Sequence, residues 1–156
     1  KNWRRNFSIL QDYDWLFELQ VFSSQMNDAA NLAHSFSKTP MVLQHCGMPE
    51  DASEVGMKMW LDGIKRLSQE TNIYCKFSGL GTFIHSVSPN FIRDITGKCV
   101  ELFGSQRCIF GSNFPIEKLW ASYEELLYGY QNALEDTSTD DKHAIFYNNA
   151  KSLYGL

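Results

Sequence analysis

The apolar residues of this chain fall into four short runs separated by longer amphipathic stretches. The runs are residues 16–22 (LFELQVF), 41–44 (MVLQ), Ile73–Phe77 (IYCKF) and Cys108–Phe110 (CIF). Each is rich in β-branched, aromatic or cysteine residues, and none alternates strictly with period two. That pattern predicts buried strands covered on both faces. Between the runs, apolar residues recur at spacings of three and four. Residues 28–36 place Ala29, Leu32, Ala33 and Phe36 on one helical face. Residues 58–68 do the same with Trp60, Leu61, Ile64 and Leu67, and residues 90–103 with Phe91, Ile95, Cys99 and Phe103. Two more helices are predicted over 122–134 and 139–154, the last with Thr139 or Asp140 as its N-cap.

Strand and helix alternate four times in units of about 30 residues, which specifies parallel βαβ units and an α/β fold. No linker or shift of composition divides the sequence, so one domain over residues 1–156 is expected. An open doubly wound sheet and a closed barrel both satisfy the pattern. Neither a G-x-G-x-x-G after a strand nor a GxxxxGK[ST] loop occurs. The choice therefore rests on the residues at the strand ends, where both architectures carry their chemistry.

Composition narrows the possibilities without choosing among them. With 44% hydrophobic and 21% charged residues and no low-complexity tract, the 156-residue chain reads as globular. A net charge of −4 with scattered basic residues argues against a nucleic-acid surface. No run approaches the roughly 18 apolar residues of a membrane span, and the opening KNWRRNFSIL has no apolar signal-peptide core. Four cysteines form no C-x-x-C pair and three lie in apolar runs, so buried reduced thiols and a cytoplasmic location are expected.

Chemistry-bearing residues sit where the apolar runs stop. Glu18 and Gln20 belong to the first run, and His45 directly follows the second. A histidine at that position can ligate a metal, transfer a proton near neutrality, or cap the strand by a loop hydrogen bond. Lys76 lies inside the third run, which ends in Ser78-Gly79. A lysine enclosed there must bind a substrate carboxylate or pair with an acid, for which Glu18 is the candidate. The fourth run ends in Gly111-Ser-Asn-Phe-Pro115. Asn113 offers a donor and an acceptor, or stabilises the turn. His34, His85 and His143 read as ordinary surface or helix residues.

Taken together, the segments VLQHCGMP (42–49), NIYCKFSGLG (72–81), FGSQRCIFGSNFP (103–115) and IFYNNAKSLYGL (145–156), with FELQV (17–21), resemble the amidohydrolase-related metal-dependent hydrolases. The resemblance is to the TIM-barrel branch that includes sugar lactonases and 2-pyrone-4,6-dicarboxylate lactonase, and it covers nearly the whole chain. It implies that the four strands are the fifth to eighth of a (β/α)8 barrel, which takes about 250 residues. The family's first strand carries an H-x-H pair, and none occurs in this sequence. With Lys1 rather than Met at the start, a C-terminal half-barrel, a fragment of a longer protein, is expected.

The resemblance also assigns expectations to residues. His45 matches a strand-six histidine that lines the active site and, in metal-using members, serves a divalent metal such as zinc. Asn113 falls where most members carry the aspartate that acts as general base. An amide cannot take a proton at neutral pH, so Asn113 can orient water but not deprotonate it, which leaves His45 as the base. Lys76, Ser78 and Gln20 are the expected substrate-binding positions. The implied activity is hydrolysis of a lactone or other carboxylic ester by activated water. The alternative is a non-catalytic half-barrel that binds or assembles, self-associating through exposed strand edges.

Overall fold

A computed structural model describes residues 2–156. Its sheet has four strands, β1 (Phe17–Leu19), β2 (Met41–Leu43), β3 (Ile73–Phe77) and β4 (Cys108–Phe110), in the order β1-β2-β3-β4. Every neighbouring pair is parallel. A sheet that adds each strand beside the previous one, without reversal, is one arc of a barrel; a doubly wound sheet reverses at its switch point.

The helices are α1 (Asn2–Phe7), α2 (Met26–Ser35), α3 (Glu54–Ser68), α4 (Gly81–Ile84), α5 (Pro89–Phe103), α6 (Tyr123–Ala133), α7 (Thr139–His143) and α8 (Asn149–Tyr154). The predicted helices are present, with shifted ends set by capping. α3 starts a turn before residue 58 because the Ser53 hydroxyl accepts the Gly56 N–H at 3.1 Å. The terminal helix is capped by Ser138, not Thr139 or Asp140: its hydroxyl accepts the Asp141 N–H at 3.2 Å. Between α7 and α8 the chain makes a π turn, Ala144–Asn148.

The first apolar run is extended only over Phe17–Leu19, and the second strand stops at Leu43. Helices α1 and α4 had no counterpart in the apolar pattern. α1 is docked through Phe7, whose ring lies 4.9 Å from Phe17 and 4.8 Å from Phe36. No helix among the described residues is long and apolar enough to cross a membrane.

The sheet has two unlike faces. Leu19, Met41, Leu43, Ile73, Cys75, Phe77 and Cys108 join Met26, Ala30, Trp60, Ile64, Leu67, Ile92, Ile95 and Cys99 in the core beneath α2, α3 and α5. On the opposite face the register aligns Glu18 with Val42, Val42 with Tyr74, and Lys76 with Ile109. In β3, Ile73, Cys75 and Phe77 are buried while Tyr74 and Lys76 are half-buried. This corrects the expectation of strands covered alike on both faces: β3 does alternate, because its second face carries polar side chains.

Candidate active site at the strand ends

Left-handed backbone marks the ends of three strands. After β2 four consecutive residues, His45, Cys46, Gly47 and Met48, have φ of 54°, 52°, 73° and 51°. Gly79 after β3 has φ 65°, and Asn113 after β4 has φ 54°. Each non-glycine residue so placed costs about 1–2 kcal/mol, so the surroundings must impose the conformation. Such strain gathers at functional sites.

The turn at His45–Met48 is pinned from below. The Trp60 indole N–H donates to the Cys46 carbonyl at 2.8 Å, and Gly47 sits so close to Met26 that a Cβ there would lie 2.4 Å from the methionine Cε. Cys46 is thereby turned into the core and His45 toward solvent. His45 Nδ1 lies 2.9 Å from Ser78 Oγ. Gly79 leaves room for the ring, since a Cβ there would stand 2.4 Å from Nδ1. Burial lowers the His45 pKa below its ordinary 6.5, with a hydrogen bond to the Ser78 backbone opposing the effect and Lys76 adding to it, so the imidazole is held neutral.

His45, Gln20, Gly79, Thr82 and Asn113 line one cleft of about 170 Å³. Three of the expected site residues, Gln20, His45 and Asn113, are thus brought together. Ser78 is buried behind the imidazole and touches His45 rather than the open space. Lys76 is carried elsewhere, into a network on the open face of the sheet. Its ammonium lies 3.4 Å from Glu18 Oε2 and 3.2 Å from the Tyr154 hydroxyl, which donates to Glu18 Oε1 at 2.6 Å. Gln44 also donates to Glu18. Of the two roles open to Lys76, the structure thus contains the ion pair with Glu18. Burial, and after it the Glu18 carboxylate, raise the pKa of the Tyr154 phenol well above the ordinary value.

One residue of the site, Glu117, escaped the sequence reading. Thr82 lies on α4, and its hydroxyl donates to Glu117 Oε1 at 2.9 Å. Glu117 is fully buried and also accepts from Asn113 Nδ2 at 3.3 Å. The only available signal was the spacing of Glu117, four residues after Asn113. In the segment IEKL it reads as a solvated acid. Phe114–Pro115 is a cis peptide.

A zinc centre takes three or more protein ligands. Among the described residues, the one group of three or more histidine, cysteine or acidic ligands that converges is Cys46, Cys75 and Cys99, with sulfurs all within 4.8 Å. Those thiols are sealed in the core, and burial pushes Cys46 and Cys75 up, so both are neutral S–H groups that pack as small apolar side chains. His45 belongs to no such group, and the residues present do not by themselves fit a zinc site there. A larger cleft, about 530 Å³, lies between the start of α2 and α3, lined by Ser24, Asn27, Lys58 and Asp62. It gathers no strand-end residue.

A sequence model of the amidohydrolase family matches residues 1–156. An uncharacterized protein of Sinorhizobium fredii, y4mH, is 31% identical over 152 residues, 97% of this chain and 51% of that protein. An L-fucono-1,5-lactonase of Burkholderia multivorans is 26% identical over 163 residues, 97% of this chain and 55% of the enzyme. The crystal structure of an amidohydrolase from Burkholderia multivorans with bound HEPES superposes with a TM-score of 0.91 at 26% identity, covering 98% of this chain and 57% of that one. A second crystal form with bound zinc gives the same TM-score at 25% identity. The chain spans about half the length of the curated relatives it matches. The motifs at the strand ends, the sequential parallel arc and a family match over every residue agree: the chain belongs to the amidohydrolase family.

Proposed function

We propose that the protein carrying this chain hydrolyses a lactone or related carboxylic ester, with His45 as the general base. The observation that carries the reading is the His45 imidazole, kept neutral by burial, fixed through Nδ1 by Ser78 and lining a cleft with Asn113 and Gln20. With Nδ1–H donated to Ser78, the lone pair on Nε2 takes the proton of a water. Asn113 Nδ2 is engaged by Glu117, so Oδ1 accepts from that water and orients it. Attack on the ester carbonyl gives a tetrahedral oxyanion. Its collapse expels the ring oxygen, which takes the proton back from His45. The lactonase relative supports the substrate class, and the zinc-bound relative keeps a metal-assisted form open in the longer protein.

The test is a lactonase assay of the full-length protein on 1,5- and 1,4-sugar lactones and simple esters, wild type against His45→Gln. A fall in kcat/KM of about 10²- to 10⁴-fold is expected, and an unchanged value removes His45 from the mechanism. A second reading, a half-barrel that binds or assembles without catalysis, is favoured by the outer edges of β1 and β4, which pair with no strand among the described residues. It requires concentration-dependent self-association together with no turnover of any lactone.

A further inference from the structure

We propose that Glu117 is a positioning residue that makes both Asn113 and Thr82 present hydrogen-bond acceptors to the cleft, so that the ligand held there is a hydroxyl donor, a water or a polyhydroxylated substrate. The inference rests on the strand-end cleft being the working site, and it names the side chain that arranges it.

Glu117 is the only charged side chain fully enclosed among the described residues. Burying a carboxylate costs several kcal/mol even after relaxation. Oε1 accepts from Thr82 Oγ1 at 2.9 Å and from Asn113 Nδ2 at 3.3 Å. These two donors come from different strand ends, Thr82 after β3 and Asn113 after β4, so one oxygen fixes two walls of the cleft. Oε2 is buried without a partner. It occupies the space beside Gly81, where a Cβ would stand 2.2 Å from it. A packing role alone would be met at lower cost by a neutral side chain of the same shape.

What only the carboxylate does is remove ambiguity. An ionised carboxylate offers acceptors and no donor. Asn113 must therefore turn its NH₂ inward and leave Oδ1 toward the cleft. Thr82 must spend its hydroxyl proton on Glu117 and leave its lone pairs outward. Glutamine at 117 would offer a donor as well as an acceptor, and Asn113 could then sit either way round. The cleft also holds Gln20 and neutral His45. Acceptors from Asn113 and Thr82 beside them suit a ligand rich in O–H groups and disfavour a carboxylate at that spot.

The test is a swap cycle in the full-length protein at neutral pH: Glu117→Gln, Asn113→Asp and the double variant. Asn113→Asp alone sets two carboxylates against each other and lowers the unfolding midpoint by about 5 °C. The double variant reverses the pair, with the carboxylate introduced at position 113 accepting from the glutamine amide, and recovers most of that loss. Additive effects, with no recovery, overturn the proposal. If Asn113→Asp does not fold, the Asn113 side-chain amide resonances of the ¹⁵N-labelled protein decide it. They move in Glu117→Gln, and unmoved resonances overturn it as well. Neither measurement needs turnover, so both stand whether or not the hydrolase reading survives. With a lactone that is turned over, Glu117→Gln raises KM several-fold for the polyhydroxylated compound and leaves that of its deoxy analogue unchanged. Equal effects on the two would sink the ligand assignment.

Discussion

His45 Nδ1 and Ser78 Oγ, 33 residues apart in sequence, meet at 2.9 Å at the ends of adjacent strands. The contact holds the Nδ1 edge of the imidazole against the end of β3, and the left-handed turn after β2 places the ring in the wall of the cleft. Its energetic consequence follows from the lowered pKa of His45.

Burial holds that pKa below 6.5 in the folded protein, whereas the unfolded chain takes up the proton near 6.5. On acidification the unfolded state therefore binds a proton first. The His45 contribution to stability is intact above about pH 6.5 and declines as pH falls toward the folded pKa. His45→Gln should flatten this part of the stability–pH curve, measured by thermal unfolding at a series of pH values. Ser78→Ala removes the Oγ contact to Nδ1 but keeps the backbone hydrogen bond at Ser78 that raises the His45 pKa, so the imidazole resonances followed by NMR should move while the titration stays below 6.5.

Gly79→Ala should displace the imidazole. The new methyl would stand 2.4 Å from His45 Nδ1 at a backbone φ of 65°. A loss of about 1–2 kcal/mol is expected from the backbone alone, with a shifted His45 resonance. Gly97→Ala is the contrast, because a Cβ there meets nothing within 4 Å in the middle of α5. It should stabilise by about 0.5–1 kcal/mol, read by denaturant unfolding.

Arg107→Ala should be among the most damaging changes away from the site. The guanidinium donates to the carbonyls of Ser68 (2.9 Å), Glu70 (2.9 Å), Ile73 (3.1 Å) and Phe103 (3.1 Å), tying the end of α3 to β3 and α5. Removing it leaves several backbone acceptors unpaired, at a cost of about 2–4 kcal/mol. Arg107→Lys should recover little, because one ammonium cannot reproduce a planar fork that reaches several segments. Equal stability of the lysine variant and wild type in urea unfolding would contradict this.

Asn149→Asp should cost more than Tyr154→Phe, although both residues lie on α8. Asn149 Nδ2 donates to the Ser105 and Cys108 carbonyls, each at 2.8 Å, in a buried position. An aspartate there faces two carbonyl oxygens with no donor, a loss of about 3 kcal/mol or more. Tyr154→Phe removes one hydroxyl from a network in which Glu18 keeps Lys76 and Gln44, so about 1 kcal/mol is expected. Denaturant unfolding of the two variants gives the order.

Local pattern carried much of this protein into view. The β3 and β4 segments were legible end to end, because a buried strand is a contiguous apolar run between breakers. Helices α5 and α6 were legible from their three-and-four spacing. The start of α3 was not, because its cap, Ser53, lies outside the apolar repeat and decides where the helix begins; the terminal helix starts at residue 139 as the pattern predicts, but its cap is Ser138. α1 was invisible for a different reason: six residues are held by the packing of Phe7 on Phe17 and Phe36, and no local propensity announces that.

The candidate site divides in the same way. The sequence by itself determined that His45, Lys76 and Asn113 stand at or near the ends of parallel strands, because strand–helix alternation and the residues after each run are local properties. Only the tertiary structure decided what each of them meets. Lys76 and Glu18 face each other because β1 and β3 share a sheet face, and Tyr154 reaches them from the other end of the chain. Glu117 changed most. In sequence it is an acid in a polar loop; in the fold, α4 brings Thr82 and Gly81 over it from 35 residues away and closes it from water. Burial is set by what packs against a residue, and that depends on contacts between segments that no local pattern encodes.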